Sequence, residues 1–387
     1  MTASTEARVP GQHGDGPLGS AWRAAAQASQ DAALPVGSRV LSCIAAPGAG
    51  GLGRHLQELA DAADRTGGPA SVISGSARAG APRHALGIPY LASLLRTLPM
   101  LPSSPGVRAR AAMSEFDAFA AESLPAAEHL IAFSGQALAQ IGAARDAGYR
   151  SASVVSANPH LRSLARQHEL ARRAYPLEGS WATRMLDRNL AEYERADRIY
   201  YASEYIRDSF LEHGVAEDRL VRFPLTPEER YRPERTPPAS SRFEIVYVGS
   251  LSVHKGVPLL IDAVRRLPGL DLRLRLVGGW GTPGMRRFVQ RAKAADGRIE
   301  VCPGDPLPHL RAASLCVHPA YEDGFGYAPA EALATGVPVI VSEDTGMKEL
   351  IEPGRDGLVL ATGELGALVE AIGAAYRGEV LARAAAR

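Results

Sequence analysis

Short apolar runs alternate with charged, amphipathic stretches along most of the 387-residue chain. Strands buried on both faces of a parallel sheet appear in sequence as such runs, and the stretches between them supply the covering helices. The pattern therefore predicts an α/β protein built from parallel sheets. Helices are predicted near 54–63 and 180–196, and strands at 38–44, 72–73, 130–133, 153–156, 198–201, 243–249, 272–277, 299–302, 315–318 and 337–341.

A proline-rich, charged stretch at 224–242 interrupts this alternation and is typical of an interdomain linker. It separates a predicted N-terminal Rossmann-like domain, residues 37–223, from a predicted C-terminal one, residues 243–387. Residues 1–36 are rich in glycine, alanine, proline and polar residues without periodicity. That composition predicts a mostly disordered tail.

Composition narrows the class of protein. Lysine and arginine total 43 against 42 acidic residues, so the net charge of +1 does not indicate a nucleic-acid partner. The three cysteines, Cys43, Cys302 and Cys316, sit singly in apolar runs, which favours core positions in a reducing cytoplasm. No apolar run approaches the roughly 20 residues of a membrane span. The apolar stretch 86–102, with arginines nearby, is expected in the core or in an acceptor cleft; contact with the inner face of a membrane is the alternative.

The stretch after the predicted strand 315–318 carries the strongest chemical signal. Asp323 and Glu331 flank seven residues that include a glycine loop and the start of a helix. Such a loop offers free backbone N–H groups and the positive end of a helix dipole to an anion, for example a diphosphate. Carboxylates on either side can hold sugar hydroxyls, so the stretch predicts a nucleotide-sugar site. The alternative is an ordinary strand-to-helix crossover with an acidic loop.

Two further loops follow predicted strands. Gly50, Gly51 and Gly53 come after the first strand and open a helix, where glycine allows a ligand close to the backbone; a simple tight turn is the alternative. Lys255 comes after strand 243–249 and could neutralise phosphate charge, or it could be a solvated turn lysine.

These motifs resemble those of the family 4 glycosyltransferases, which have the two-Rossmann GT-B architecture. The resemblance covers roughly residues 38–376 and is strongest over 315–360. Asp323 takes the first of two family glutamate positions, with Glu322 one step earlier. Lys255 is in register with a family lysine, but Ser250 stands where the family has an arginine.

The resemblance implies a retaining transfer of a sugar from a nucleotide diphosphate to an acceptor hydroxyl on a glycan, a lipid-linked molecule or a small molecule. The implied catalytic residues are Asp323, Glu331, Lys255 and His160, the last facing the sugar from the N-terminal domain. The implied donor-binding residues are Gly50, Gly51, Gly53, Ser250, Glu322, Gly324, Phe325, Gly326 and Tyr327. Glu349 is similar to a family glutamate and is expected to bond a loop or a helix end.

Neither a cofactor nor a metal is expected, because the sequence has no Asp-x-Asp pair and no zinc spacing. We expect backbone amides and a lysine to bind the phosphates in place of a metal ion. Because Ser250 and Asp323 depart from the family pattern, a catalytically weakened nucleotide-sugar-binding protein is one alternative. A sugar-nucleotide epimerase on the same fold is a second alternative. A periplasmic-type two-domain binding protein is a third, which the absence of a secretory signal disfavours.

Overall fold

The computed structural model describes residues 18–75, 85–87, 105–179, 182–233 and 242–381. The strands of the N-terminal domain are β1 (Arg39–Cys43), β2 (Ala70–Ser74), β3 (Ala85–Gly87), β4 (His129–Phe133), β5 (Ser151–Ser156), β6 (Ile199–Tyr201) and β7 (Leu220–Arg222). Those of the C-terminal domain are β8 (Phe243–Val248), β9 (Leu272–Val277), β10 (Ile299–Cys302), β11 (Leu315–His318), β12 (Val339–Ser342) and β13 (Gly357–Leu360).

Helices connect these strands and cover both sheets. In the N-terminal domain they are α1 (Ser20–Ala33), α2 (Gly50–Arg65), α3 (Pro105–Glu122), α4 (Leu138–Asp146), α5 (Leu161–Ala174), α6 (Ala182–Arg195) and α7 (Glu204–Glu212). In the C-terminal domain they are α8 (Val257–Arg265), α9 (Pro283–Ala295), α10 (Leu307–Ala312), α11 (Tyr327–Ala334) and α12 (Leu365–Tyr376). Short 3-10 turns lie at Glu217–Arg219 and Gly346–Leu350.

Both sheets are parallel and change direction once. The first has the strand order β3-β2-β1-β4-β5-β6-β7 and the second the order β10-β9-β8-β11-β12-β13. The chain therefore reverses its lateral direction between β1 and β4 and again between β8 and β11. In such sheets ligands bind outside the carboxyl ends of the strands at this switch point. The fold thus indicates that a ligand binds at the loops after β1, β8 and β11.

The predicted architecture of two Rossmann-like α/β domains is confirmed. Strands β1 and β4 are buried along their whole length, as expected of central strands in a covered parallel sheet, although Arg39, Ser42 and His129 interrupt their apolar runs. Three strands were missed: β3, β13 and β7, which follows the strand expected to be last in its sheet. All three lie at outer positions of their sheets, and the partial exposure of β7 and β13 weakens their apolar pattern.

The expectation of a disordered tail over 1–36 is wrong for its second half. Residues Ser20–Ala33 form α1, which buries Ala26 and packs on α2. The alanine-rich sequence of this helix favours it intrinsically. The prediction used the composition of residues 1–36 as a whole, in which this helix-favouring stretch does not stand out. Residues 1–17 lie outside the described residues.

The predicted linker 224–242 is only partly a linker. Its first part packs against the protein: Leu225 and Tyr231 are 3% and 1% exposed. Arg23 of α1 donates hydrogen bonds to the carbonyls of Pro227 and Tyr231. Residues 234–241 lie outside the described residues, as does most of the stretch 86–102 that was assigned to a core, cleft or membrane-surface element.

Candidate functional site

The carboxyl edges of the two sheets face each other. Gly324, in the loop after β11, approaches the loop after β5 so closely that a Cβ on it would lie 2.0 Å from the Ala157 carbonyl oxygen. Ser203, after β6, donates a 2.6 Å hydrogen bond to the Gly324 carbonyl. We call the cleft between these edges the interdomain groove. It brings the loops after β1, β8 and β11 to one place.

Asp323 lies in the groove beside a lysine and a histidine. Its Oδ2 atom is 3.2 Å from Lys255 Nζ and 2.8 Å from His318 Nε2. Burial alone would raise the pKa of Asp323, but Lys255 and then the His318 hydrogen bond outweigh it and hold the pKa well below its ordinary range. Asp323 is therefore a carboxylate at any physiological pH.

Lys255 owes its position to the glycine that follows it. Gly256 has φ +73°, and a Cβ there would lie 1.9 Å from the Pro319 carbonyl oxygen. Only glycine allows both this conformation and this approach of the β8 loop to the β11 loop. Lys255 Nζ also donates a 2.8 Å hydrogen bond to the Glu322 carbonyl. Lys255 thus lies directly against the acidic loop, a contact that the sequence analysis did not predict.

Glu331 lies on α11 and meets the N-terminal domain. Arg54 Nη1, in the first turns of α2, is 2.5 Å from Glu331 Oε1. The Arg54 guanidinium also lies 4.0 Å over the ring of Tyr327, the first residue of α11. Burial raises the pKa of Glu331 to about 7 against the opposing charge of Arg54. Glu331 therefore changes its protonation near neutral pH.

Tyr327 contacts a second side chain of α2. Its hydroxyl donates a 2.7 Å hydrogen bond to Glu58, whose other oxygen accepts from Gln30 and from the backbone and hydroxyl of Thr226, each at 2.9 Å. Helix α1 and the segment after β7 are thereby tied to the start of α11. Tyr327 and Ala328, the first two residues of α11, have amides without a partner within the helix, and such amides can bind an anion; Pro329 has no N–H.

Of the predicted donor-binding residues, Glu322 is buried between the domains and Ser250 is exposed. The Glu322 side chain is 3% exposed and lies 3.6 Å from His168 Nε2 of α5, so it joins the two domains instead of facing open groove. Asp323 is the member of the acidic pair beside Lys255. Ser250 is exposed, and its carbonyl accepts a 2.8 Å hydrogen bond from Tyr247.

His160 does not face the groove, which corrects the prediction for this residue. It is 3% exposed and begins α5. Its ring packs on those of His213, Tyr193 and Phe210 at centroid distances of 4.2, 5.2 and 5.2 Å. Burial, with His213 and Arg162 adding, lowers the pKa of His160 to about 3. A neutral ring in an aromatic cluster stabilises the N-terminal domain.

Glu349 bonds a helix end, as expected. Its carboxylate accepts a 2.9 Å hydrogen bond from the Glu204 amide at the start of α7 and a 2.8 Å one from Arg222. Both partners belong to the N-terminal domain. Glu349 therefore holds the domains together next to the groove.

Another interdomain contact involves Glu178, after α5. Its carboxylate accepts hydrogen bonds from the Val253 amide at 2.5 Å and from Thr282 at 3.1 Å, and it lies 3.7 Å from His254. His254 in turn stacks on His168 at 4.7 Å between ring centroids. The β8 loop that carries Lys255 is thus supported from the opposite domain.

Sequence reasoning missed three groups that complete the site: Arg54, Glu58 and His318. The arginine directly after the glycine loop could have been considered, because phosphate sites need cations. His318 ends a predicted strand next to the acidic loop, which was a usable signal. Glu58 had no recognisable signal in the sequence, because its partners come from distant parts of the chain.

Within the described ranges, no group of three or more His, Cys, Asp or Glu side chains is arranged to hold a metal ion. No helix in those ranges combines the length and the apolar character needed to cross a bilayer.

Residues 242–377 match the family model described as Glycosyl transferases group 1. D-inositol 3-phosphate glycosyltransferase of Nocardia farcinica is 29% identical over 203 residues, which are 46% of this chain and 45% of that protein. The chain spans about half the length of the curated relatives it matches: 45, 40 and 53% for three of them.

Solved structures resemble the chain over most of its length. Sucrose-phosphate synthase from Thermosynechococcus elongatus gives a TM-score of 0.64 at 20% identity, covering 87% of this chain and 89% of that one. Anabaena HepE in complex with UDP-glucose gives 0.61 at 18% identity, covering 88% and 90%. At identities this low, the structural likeness establishes the fold alone.

The fold is that of GT-B structures, with two Rossmann-like domains that face each other. Lys255, Asp323 and Glu331 all lie within residues 242–377, the part of the chain that is similar to the glycosyl transferases group 1 family.

Proposed function

We propose that this protein is a glycosyltransferase that moves a sugar, with retention, from a nucleoside diphosphate to an acceptor hydroxyl. One observation carries the proposal. Asp323 and Glu331 stand at the two ends of a glycine loop and helix start, both at the interdomain groove, and Lys255 lies 3.2 Å from Asp323. Carboxylates, a cation and free helix amides together suit a sugar bound to a diphosphate.

The donor is assigned to the C-terminal domain. The amides at the start of α11 and Lys255 would take the diphosphate, while Asp323 and Glu331 would hold sugar and ribose hydroxyls. Gly50, Gly51 and Gly53, in the first turn of α2, would cover the phosphates from the opposite side. The UDP-glucose bound to Anabaena HepE, a protein of the same fold, supports a donor of this class.

Retention is proposed without a covalent sugar–enzyme intermediate. Asp323 Oδ2 is engaged by both Lys255 and His318, so it is poorly placed to be a nucleophile. The acceptor oxygen would instead attack C1 on the face from which the diphosphate departs. The C1–phosphate oxygen bond breaks, the C1–acceptor oxygen bond forms, and the acceptor proton passes to the departing phosphate. Lys255 and the α11 amides stabilise the charge that develops there.

The N-terminal domain is proposed to bind the acceptor. A cavity of about 100 Å³ opens at the ends of β4 and β5, lined among others by Leu52, Phe133, Ser156, Asn189 and Tyr193. It adjoins the glycine loop through Leu52. Apolar walls with a few hydroxyl and amide groups suit part of a hydroxyl-bearing molecule.

Phosphate binding is proposed to need no metal, because Lys255 and helix amides can supply the positive charge. Donor turnover should then persist in excess EDTA. Loss of turnover on chelation, restored by Mg²⁺ or Mn²⁺, would refute this part of the proposal and leave the donor class intact.

A thermal-shift screen of UDP, GDP, ADP, CDP and dTDP tests the donor class. A ligand at 100 times its dissociation constant adds roughly 2.7 kcal/mol of stability. We expect one nucleotide to raise the midpoint strongly in the native protein and weakly in Lys255→Ala and Glu331→Ala variants. Lys293→Ala, an exposed lysine on α9, is the control. No shift with any nucleoside diphosphate would end the proposal.

Turnover separates the alternatives. A transferase releases the nucleoside diphosphate fastest with an acceptor present, and proton NMR of the product shows the donor's anomeric configuration. Tight binding without turnover would identify a weakened nucleotide-sugar binder, an outcome that the absence of a cation at Ser250 makes worth testing. A free or epimerised sugar formed without acceptor would identify an epimerase.

A further inference from the structure

The groove is short of positive charge for the ligand it is proposed to bind. Three carboxylates, those of Glu322, Asp323 and Glu331, lie around the start of α11. Lys255 already donates to the Glu322 carbonyl and faces Asp323. Ser250, on the β8 loop, offers a neutral hydroxyl. A diphosphate brings at least two further negative charges, so a second cation is needed.

Arg54 is placed to be that cation. It lies in the first turns of α2, directly after Gly53, and its guanidinium covers the ring of Tyr327 at 4.0 Å. The helix end that would receive the diphosphate begins at Tyr327. Arg54 thus stands over this helix end from the opposite domain.

Part of the Arg54 guanidinium has no protein partner. Nη1 contacts Glu331 at 2.5 Å and Nε lies 3.5 Å from Glu228. Nη2 is buried and finds no hydrogen-bond acceptor among the described residues. A buried N–H pair without an acceptor is costly, and a phosphate oxygen would satisfy it.

We infer that Arg54, from the N-terminal domain, binds the donor diphosphate in place of the missing cation at Ser250, and that it leaves Glu331 in order to do so. This inference rests on the proposed function. Guanidinium binds phosphate with two parallel hydrogen bonds, whereas its contact with Glu331 is an ion pair in which Glu331 Oε1 has no well-aligned hydrogen bond.

The exchange would also prepare Glu331 for its own task. While Arg54 holds the Glu331 carboxylate, that group is occupied by protein. Release of Arg54 to the diphosphate leaves Glu331 free to accept hydrogen bonds from ribose or sugar hydroxyls. Because Arg54 and Glu331 belong to different domains, diphosphate binding becomes coupled to the approach of the domains across the groove.

The test compares how tightly the protein binds a nucleoside diphosphate and its parent nucleoside. Uridine and UDP, with the guanosine and adenosine pairs alongside, are titrated by calorimetry into the native protein, Arg54→Gln and Arg54→Lys. We expect Arg54→Gln to weaken diphosphate binding about 10- to 100-fold while nucleoside binding changes less than about threefold. Arg54→Lys should keep part of the diphosphate affinity, because it keeps the charge.

A rescue variant makes the test specific. In Arg54→Gln/Ser250→Arg, an arginine on the β8 loop should restore at least part of the lost diphosphate affinity. Arg65→Gln, at the other end of α2 and paired with Asp31, is the matched control and should bind like the native protein. The thermal midpoint of each variant without ligand confirms that it is folded.

The outcomes separate the two claims. If the native protein binds no nucleoside diphosphate, the proposed function fails and this inference fails with it. If the native protein binds one and Arg54→Gln binds it equally well, only the role of Arg54 is overturned. Equal losses for nucleoside and diphosphate, or no recovery in a folded double variant, would also overturn that role.

Discussion

The Lys255 ammonium lies 3.2 Å from an Asp323 carboxylate oxygen, and both groups are about one-fifth exposed at the interdomain groove. Although burial alone would lower the pKa of Lys255, Asp323 and Glu322 outweigh it and raise the pKa. Each group thus keeps the other ionised. The pair presents one fixed ammonium and one fixed carboxylate to a ligand before any ligand arrives.

Replacing Lys255 with methionine should therefore impair binding of the diphosphate. The variant keeps the length of the apolar stem but removes the charge. We expect nucleoside diphosphate affinity to fall about 10- to 100-fold, the range for losing a hydrogen bond to a charged group. Calorimetry measures this, with Lys293→Met as the control; native-like affinity in Lys255→Met would contradict the assigned role.

Gly324 sets how closely the domains approach, so Gly324→Ala should hold them apart. The added methyl would lie 2.0 Å from the Ala157 carbonyl oxygen across the groove. We expect slower donor turnover, a larger radius of gyration in solution X-ray scattering, and little change in thermal midpoint. Gly366→Ala, at an open position on α12, should change none of these. An unchanged radius with full turnover would show that closure does not depend on this contact.

Glu349 should contribute to domain closure by a separate contact. Glu349→Ala leaves Arg222 and the Glu204 amide without this acceptor, at a cost of about 1–3 kcal/mol. The Glu204 amide should then exchange its hydrogen faster, which mass spectrometry detects. Glu352→Ala, at an exposed ion pair with Arg355, is the control. Unchanged exchange at Glu204 would mean that other contacts suffice.

Glu331 gives the stability of the protein a defined pH dependence. Burial raises its folded-state pKa from 4.5 to about 7. The stability that the protonated side chain contributes is complete below pH 4.5 and is lost as pH rises through 7. The midpoint of Glu331→Gln relative to the native protein should therefore rise between pH 4.5 and 7.

The control for this titration is Glu194→Gln, an exposed position on α6. It should leave the pH profile of the midpoint as it is in the native protein. A Glu331→Gln profile parallel to the native one across the same interval would contradict a raised pKa at Glu331.

Much of this arrangement could be read from the sequence because it is local. The spacing of Asp323 and Glu331 around a glycine loop, and Lys255 after a strand, are fixed by elements a few residues long. The carboxyl ends of parallel strands lie at one edge of their sheet, so the loops after β8 and β11 had to emerge at the same edge. Those predictions needed no knowledge of distant contacts.

Several of the errors and omissions concern distant contacts. His160 follows a strand at the groove edge, but its ring turns inward because Tyr193 and Phe210, from later helices, form a pocket for it. Arg54 meets Glu331 only after the two domains come together. Helix α1 is held by α2 and by the segment after β7, and no local pattern could report those partners.

The central claim is that the acidic loop and α11 bind a nucleotide-sugar, and donor affinity tests it most directly. The dissociation constant of the nucleotide-sugar identified by the screen should be measured by calorimetry for the native protein, Asp323→Ala, Glu331→Ala and the control Glu352→Ala. The account predicts binding about 10- to 100-fold weaker in the first two variants and unchanged in the control. Native affinity in both folded groove variants would contradict it.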